Sequence, residues 1–268
     1  MSLLVRGSGG AVEVTPESAG WEYVGFEALA LGEGEEARRP LEGRECCVVA
    51  LSGRVAAAAE AGRGQGVASF EFGARGSPFD GLPEAAYLPP GGELVVSAAG
   101  GPAEAGLCFA PASRGAEPRV LRVEDAEVRG HGAMERRIHN ILMGDGQAER
   151  LLVTEVLTPA GHWSSYPPHK HDRDDPPGET LLEETYYHRL RPAHGFGLQR
   201  VYSDDGALDE SVAFSDGDVV LVPRGYHTVS APPGYELYYL NVMAGPRREW
   251  RIMNDPDHEW LLRTSTTS

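Results

Sequence analysis

His169 and His171 flank Lys170 in the segment YPPHKHD, and their type and spacing suggest metal chemistry. In an extended segment, side chains two residues apart project from the same face, because strand side chains alternate with a period of 2. Two imidazoles placed side by side in this way can share one metal ion. A helix would need a spacing of four residues to do the same.

A third histidine and a carboxylate could complete this site. His227 follows a Pro-x-Gly turn and would arrive on a second strand. Glu184 begins a run of alternating residues and is the best placed nearby acid, although Glu179 and Glu183 compete with it. Three imidazoles and a carboxylate suit a divalent first-row ion. For the other histidines we expect surface or capping positions (His162, His194, His258) or see no partner (His131, His139).

The elements that must position these residues are strands. Short apolar runs, many of them β-branched or aromatic, recur along the chain between Gly, Pro, Asp and Asn residues, which predicts an all-β protein. Closing such strands into a small barrel would bring the four ligands to one interior point. The Ala-rich segment 55–61 is a minor helical candidate, and a turn is expected near Pro256. Predicted strands include 46–51, 86–88, 94–97, 107–109, 151–157, 184–190, 197–202, 218–222 and 236–243.

The two halves of the chain are similar to each other. Residues 88–95 (LPPGGELV) align without a gap with residues 222–229 (VPRGYHTV), and Glu45 opens an apolar run as Glu184 does. Self-similarity at a period of about 135 residues predicts a duplicated domain.

The two copies differ at the positions that would hold a metal. Glu93 stands where the second copy has His227, and no His-x-His precedes the first copy's apolar run. We therefore predict an N-terminal, metal-free domain over residues 1–125 and a metal-binding domain over residues 126–268.

Composition excludes several classes of binding partner and of structural site. The 268 residues carry a formal net charge of −16, which argues against nucleic acid and anionic membranes. The three cysteines are odd in number and two are adjacent, so neither a disulfide framework nor a cysteine-rich metal site is indicated. No apolar run approaches the roughly 18 residues of a membrane span, and the first residues lack a signal peptide's pattern. We expect a reduced, cytoplasmic protein.

The second half resembles the cupin superfamily in its His-x-His, its following Glu and its Pro-x-Gly-x-His. More narrowly, it resembles the 5-deoxyglucuronate isomerase family of myo-inositol catabolism (IolB), which is related to the 5-keto-4-deoxyuronate isomerases. The N-terminal half matches only in outline, as a metal-free cupin. The matching segments are WSSYPPHKHD (163–172), EETYYH (183–188), QRVY (199–202), VVLVPRGYH (219–227), LYYLNVMAGP (237–246) and NDPDHEW (254–260).

This resemblance implies two tandem cupin barrels and an aldose–ketose isomerisation that converts 5-deoxy-D-glucuronate to 5-dehydro-2-deoxy-D-gluconate. It also implies that a divalent metal is held by four side chains: His169, His171, Glu184 and His227. Zinc is the expected ion by kinship, and manganese or iron would suit the same ligands. We expect a homo-oligomer that binds a small sugar acid.

Three residues are candidates for proton transfer in such a reaction. If Glu184 faces the barrel interior, Tyr186 and His188 on the same strand should face it too. Tyr238 is the third candidate, but it and Asn241 lie on opposite faces of the last strand, so at most one of them lines the pocket.

The substrate's carboxylate calls for an Arg or Lys partner. Arg200 is the preferred residue, and Arg173 is the alternative because it shares the parity of His171. Lys170 should face out of the barrel and is a poor choice.

Two other functions compete with the isomerase. A cupin dioxygenase could use the same ligands to hold iron or copper. A non-catalytic sugar-binding cupin would bind without turnover. The chain shows no helix-turn-helix pattern or basic tail, which weakens a transcriptional role.

Overall fold

The computed structural model describes residues 2–60 and 66–266, and these residues are almost entirely β-structure. A single short helix, α1 (Pro16–Ala19), lies among the strands of the first half and is capped by Thr15. The strands of this half are β1 (Leu4–Val5), β2 (Val12–Val14), β3 (Gly25–Leu31), β4 (Glu36–Pro40), β5 (Arg44–Ser52), β6 (Val55–Glu60), β7 (Val67–Phe72), β8 (Glu84–Leu88), β9 (Glu93–Ala98), β10 (Ala103–Pro111) and β11 (Arg119–Arg122).

The second half repeats this arrangement of strands. Two 3₁₀ segments, Gly132–Met134 and Glu259–Thr266, accompany the strands, and residues 256–258 form the expected turn. The strands are β12 (Glu127–Arg129), β13 (Arg136–Leu142), β14 (Leu152–Thr158), β15 (Trp163–Lys170), β16 (Glu183–Arg191), β17 (Gly197–Tyr202), β18 (Asp209–Phe214), β19 (Val219–Val222), β20 (Tyr226–Ser230), β21 (Glu236–Ala244) and β22 (Met253–Asn254).

Four antiparallel sheets form two barrels. In the first barrel, the sheet β11-β8-β5-β10-β3-β2 packs against the sheet β4-β9-β6-β7, and an apolar core fills the space between them. In the second, the sheet β1-β19-β16-β21-β14-β13-β12 packs against the sheet β18-β17-β20-β15-β22. This is the all-β fold of two tandem cupin barrels that the sequence predicted.

The sheets change over between β11 and β12, which lie on either side of residue 125. β1 is the exception, because Leu4 and Val5 pair with Val220 and Val219 in the second barrel. A third apolar cluster lies between the barrels and contains side chains from both, with the rings of Phe26 and Tyr187 5.2 Å apart. The division into two domains therefore stays a prediction about a molecule whose halves share a core.

The helix predicted over residues 55–61 is wrong. Residues 55–60 form β6, which pairs with both β7 and β9, and Ala61 lies outside the described residues. Val55, Ala57 and Ala59 are buried in alternation with less buried neighbours. Alanine's helix propensity is weak compared with cross-strand pairing on two sides and a core that accepts small side chains.

The strand registers correct the alignment of the two halves by one residue. Cys46 pairs with Leu88, and Glu184 pairs with Val222. Because Leu88 aligns with Val222, the residue of the first barrel that corresponds to Glu184 is Cys46 rather than Glu45.

Glu45 is instead the counterpart of Glu183, and both carboxylates tie one barrel to the other. Glu183 accepts hydrogen bonds from the backbone N–H groups of residues 22–24, just before β3, at 2.8, 2.8 and 2.9 Å. Glu45 accepts them from residues 149–151, just before β14, at 2.8, 2.6 and 2.8 Å.

Within the described ranges, no helix is long and apolar enough to cross a membrane.

Candidate metal centre

Strands β15, β16 and β20 bring the four predicted ligands together inside the second barrel. His169 lies directly opposite His227 in the β15–β20 pair, and Glu184 projects from β16. One nitrogen from each of the three histidines lies within 4.8 Å of the others. The Nε2 atoms of His171 and His227 are each 3.1 Å from Oε2 of Glu184.

The local backbone explains how His227 reaches this point. Gly225 in the Pro-x-Gly turn has φ of +94°, and a Cβ atom there would lie 2.4 Å from the carbonyl oxygen of Tyr202. Only glycine fits such a close approach at positive φ. The glycine of this motif therefore allows the start of β20 to pack closely against the end of β17, with which β20 pairs.

Backbone carbonyls set the orientation of two of the imidazoles. Nδ1 of His171 donates to the carbonyl oxygen of Leu182 at 2.9 Å, and Nδ1 of His227 donates to that of Gly225 at 3.1 Å. A carbonyl can only accept, so Nδ1 carries the proton and the Nε2 lone pair points towards Glu184. Such outer hydrogen bonds are typical of metal-ligating histidines.

One buried polar atom at the centre lacks a partner that a cation would supply. Nε2 of His227 is buried and makes no hydrogen bond of acceptable geometry within the described part of the chain, despite its 3.1 Å approach to Glu184. Lone pairs on nitrogen and oxygen that converge at this distance repel unless a positive charge lies between them. The donor set of three imidazoles and one carboxylate therefore fits a divalent transition-metal ion.

Electrostatics at the centre favour an ionised Glu184 and a neutral His169, which are the protonation states that a metal requires of these two groups. Burial, together with His227 and His171, lowers the pKa of His169 well below its usual value. Burial alone would raise the pKa of Glu184, but the adjacent His227 and His171 outweigh it and hold that pKa well below its ordinary value. Burial would lower the pKa of His171, but the adjacent carboxylate of Glu184 outweighs burial and leaves that pKa raised. Glu184 is thus an anion and His169 a neutral donor at neutral pH.

The two competing carboxylates have other partners. Glu179 accepts hydrogen bonds from the backbone N–H groups of Asp172 and Arg173, so it braces the loop that follows β15. Glu183 is the inter-barrel clasp described above. Of the three acids, Glu184 is the one that contacts the histidines.

A cavity of about 350 Å³ adjoins the ligands and is large enough for a small sugar acid. His169 and Glu184 form part of its wall. The remaining wall includes Asn241, which the sequence left open as the alternative to Tyr238, and side chains that sequence reasoning missed: Arg129, His131, Arg136 and Tyr239.

Tyr186 is the predicted catalytic residue that lines this cavity. Its hydroxyl is hydrogen-bonded to Oγ of Ser165 at 2.9 Å, and its ring lies 4.9 Å from that of Tyr239. Burial raises the pKa of Tyr186 well above its usual value, with Glu184 adding to the effect. The phenol therefore stays protonated and can donate to a substrate oxygen.

The structure places the other two catalytic candidates outside the cavity. His188 faces the interior but lies deeper, with its ring stacked 3.6 Å from that of Phe214 and its Nε2 donating to Gln199. Tyr238 points to the opposite side of β21, where its hydroxyl donates to Oε2 of Glu155 at 2.9 Å. Tyr238 and Asn241 lie on opposite faces of β21, as the alternation predicted, and the face that lines the cavity is that of Tyr239 and Asn241.

The structure also places both predicted carboxylate-binding residues outside the cavity wall. Arg200 lies on the outer face of β17, 46% exposed, and pairs with Asp209 at 2.8 Å. Arg173 is exposed on the loop after β15. Lys170 points away from the ligands as expected, but it is buried against Asp204 and the ring of Tyr226.

The residues missed at the start of β13 and in the stretch before it share one cause. Arg136 begins β13, and its periodic neighbours Ile138 and Asn140 also line the cavity. The sequence RRIHNIL carries this alternation, but the preceding stretch with His131 looked like a connecting segment. His139, on the other face of β13, is buried with Nδ1 2.7 Å from Oε1 of Glu155.

Known proteins match this chain along nearly its whole length. A protein named 5-deoxy-glucuronate isomerase from Geobacillus kaustophilus (strain HTA426) is 47% identical over 258 residues, covering 96% of this chain and 92% of that protein. One of the same name from Listeria monocytogenes serovar 1/2a is 46% identical over 244 residues, covering 90% and 88%.

Solved structures agree with the fold. The crystal structure of an IolB-like protein from Salmonella typhimurium LT2 superposes with a TM-score of 0.90 at 42% identity, covering 98% of this chain and all of that one. Bacillus subtilis oxalate decarboxylase has a TM-score of 0.66 at 14% identity, covering 93% and 76%, so it shares the fold alone. The model of the KduI/IolB family matches residues 3–261, and the chain therefore belongs to this family.

Proposed function

We propose that this chain catalyses the isomerisation of 5-deoxy-D-glucuronate to 5-dehydro-2-deoxy-D-gluconate. Relatives at 43–48% identity over most of the chain are named for this substrate. The observation that supports the proposal most directly is the convergence of three histidines and Glu184 beside a cavity whose wall includes His169, Glu184 and the buried phenol of Tyr186. An aldose–ketose isomerase must shift a hydrogen between adjacent carbons while the neighbouring oxygens change protonation.

In this mechanism, His169, His171, Glu184 and His227 hold a divalent ion, which when bound polarises the substrate's carbonyl as a Lewis acid. Leu182 and Gly225 hold two of the imidazoles with Nε2 free to ligate. The phenol of Tyr186 donates a hydrogen bond to a substrate oxygen as that oxygen gains electron density.

Zinc is our proposed ion, because the donor set is three imidazoles and one carboxylate and because the related uronate isomerases are expected to hold it. Manganese and iron suit the same ligands. Elemental analysis of the purified protein distinguishes the three.

The isomerase proposal is tested with His171→Ala. We expect this variant to lose both metal and turnover of 5-deoxyglucuronate, followed by NMR, while keeping the circular dichroism of the parent. His194→Ala, at an exposed position, serves as the matched control and should change neither. Full activity of His171→Ala in chelator-treated buffer would show that the metal mechanism is wrong.

The same preparations separate the isomerase from its rivals. Oxygen consumption with a diol or thiol substrate would identify a dioxygenase. Stabilisation by the sugar acid without turnover would identify a binding protein.

We further propose a cytoplasmic homo-oligomer. All three cysteines are buried free thiols, which suits a reducing compartment. Exposed apolar side chains, Val128 and Trp260 among them, offer surface for self-association. Sedimentation of the purified protein measures the oligomeric state.

A further inference from the structure

Arg136 is a buried cation on the wall of the cavity. It begins β13, is 9% exposed, and lines the same space as His169 and Tyr186. Its charge is close enough to His169 to contribute to the lowered pKa of that imidazole. The guanidinium therefore lies beside the candidate metal centre without being part of it.

The hydrogen bonds of Arg136 leave its charge uncompensated. Nη1 donates to the carbonyl oxygens of Met134 at 3.0 Å and Tyr166 at 3.2 Å. Among the residues that the structure describes, no carboxylate lies within ion-pair distance of it. A guanidinium has five donors, so most of the Arg136 fork is available. Burial also lowers the pKa of Arg136, as expected for a desolvated charge without a counter-charge.

Two other arginines, Arg75 in the interior and Arg129 on the cavity wall, have the carboxylate partner that Arg136 lacks. Arg75 makes two 2.8 Å hydrogen bonds to the carboxylate of Glu155. Arg129 lines the same cavity, but it already bonds to Glu127 at 2.9 and 2.6 Å and lies 5.4 Å from the ring of Trp250. Since a buried unpaired charge is costly, Arg136 is the site where an incoming anion gains most.

The backbone around Arg136 holds the guanidinium in place. Gly130 has φ of +86°, and a Cβ atom there would lie 2.1 Å from the carbonyl oxygen of Met134 and 2.9 Å from Nη1 of Arg136. Glycine at this position lets residues 130–134 close against the arginine. The donor fork is thus positioned before any ligand arrives, which reduces the entropy cost of binding.

We propose that Arg136 binds the carboxylate of the sugar-acid substrate, at the end away from the reacting carbons. This inference rests on the proposed function and assigns the group that recognises a uronate rather than a neutral sugar. A planar guanidinium matches a carboxylate in bidentate geometry. The bound carboxylate neutralises the buried charge of Arg136 and orients the other end of the substrate, which carries the reacting carbons, towards the candidate metal centre.

The test compares an acid with its neutral analogue. Steady-state kinetics of the metal-loaded enzyme are measured with 5-deoxyglucuronate and with its primary amide. Arg136→Met should reduce kcat/KM for the acid by about 10- to 150-fold, the value of a hydrogen bond to a charged group, and should change kcat/KM for the amide little. Arg136→Lys should retain part of the preference, since it keeps the charge without the fork.

Arg137→Met is the matched control. Arg137 is the next residue of β13 and is exposed, so the same change of charge should leave the preference for the acid intact. Metal content and circular dichroism verify each variant. If Arg136→Met does not fold, Arg136→Lys decides, and a preference equal to that of the parent overturns the assignment. A full preference in folded Arg136→Met overturns it as well.

Failure of the proposed function gives a different result. If the parent enzyme isomerises neither compound, the isomerase proposal falls, and calorimetry with D-glucuronate and D-glucuronamide then decides on Arg136. Preferential binding of the acid that disappears in Arg136→Met supports the carboxylate site. Equal binding of acid and amide by the parent, or a preference that survives the substitution, overturns it.

Discussion

Two hydroxyl groups on neighbouring strands illustrate how a single position decides a residue's role. Tyr186 of β16 faces the cavity, whereas Tyr238 of β21 faces the other barrel. Both are buried phenols whose hydroxyls are hydrogen-bonded, that of Tyr186 to Ser165 and that of Tyr238 to Glu155. Only the first can touch a substrate.

Tyr186→Phe should therefore reduce kcat by about 100-fold or more, which is typical of losing a positioned proton donor. The substitution keeps the ring, so metal content should not change. Tyr238→Phe is the matched control and should leave kcat unchanged while lowering the free energy of unfolding by about 1 kcal/mol. Equal kcat in the parent and Tyr186→Phe would mean that the ring only packs the barrel.

The buried His188 leads to a second prediction, which concerns how the stability of the protein depends on pH. Burial lowers the pKa of His188 from 6.5 to about 3. Between these pH values the unfolded chain binds a proton at His188 that the folded protein does not. The contribution of the neutral His188 to the free energy of unfolding is therefore fully present above pH 6.5 and is lost as the pH drops towards 3. One such proton costs about 1.4 kcal/mol per pH unit.

His188→Gln should remove one proton's contribution to that slope, measured by urea unfolding at several pH values between 4 and 6.5. The difference from the parent isolates His188, because the metal ligands are the same in both proteins. His194→Gln, an exposed substitution, should keep the parent's slope. An unchanged slope in His188→Gln would show that this histidine is protonated in the folded state.

At this scale, the sequence predicted the candidate ligands, which the structure brings together, and Tyr186, but it missed Arg136 and Tyr239 on the cavity wall. A His-x-His and a Pro-x-Gly-x-His carry their geometry in their spacing, so His169, His171 and His227 could be found without a structure. The periodicity of a strand shows which residues share a face but not which face is inward. Tyr239 and Arg136 were missed for that reason.

At the scale of elements, a shift of one residue explains the main error in the repeat. Glu45 and Glu184 both open strands, but a one-residue slip in a strand moves a side chain to the opposite face. The first barrel has Cys46 at the ligand position and uses Glu45 for an inter-barrel clasp. The strands themselves were predictable from turn signals and β-branched runs. The two- and three-residue edge strands β1, β2, β12 and β22 carry too little pattern to be recognised.

The clasp at Glu183 makes a testable contribution to stability. Three backbone N–H groups converge on its carboxylate, and Glu183→Gln would place an amide N–H₂ among those donors. We expect a loss of about 1–3 kcal/mol in the free energy of unfolding, measured with urea.

The control for the clasp is Glu71→Gln. Glu71 is exposed and lies 3.7 Å from Arg54, so its loss should change stability by less than about 1 kcal/mol. Similar effects of the two substitutions would mean that the clasp contributes no more than a surface pair.

At the scale of the whole molecule, the barrels are joined by a buried charge network. Arg75 of the first barrel binds Glu155 of the second, and Glu155 also contacts His139 and Tyr238. Burial alone would raise the pKa of Glu155, but Arg75 and His139 outweigh it and keep the pKa below its usual value. This network lies within the apolar cluster that the two barrels share. Nothing in the sequence pairs Arg75 with Glu155, because only the docked barrels bring them together.

Arg75→Met should lower the free energy of unfolding by about 3–5 kcal/mol, because it leaves the carboxylate of Glu155 buried without its main counter-charge. Urea unfolding followed by tryptophan fluorescence measures the change. The double variant Arg75→Met/Glu155→Gln should recover part of the loss, since no uncompensated charge then remains in the interface.

Arg54→Met removes an exposed arginine of the same barrel and should change stability by no more than about 0.5 kcal/mol. A double variant less stable than Arg75→Met would mean that the carboxylate of Glu155 stabilises the interface through His139 and Tyr238 even without Arg75. A small effect of Arg75→Met would instead assign the cohesion of the two barrels to their shared apolar core and to the backbone clasps, with the ion pair contributing only the specificity of docking.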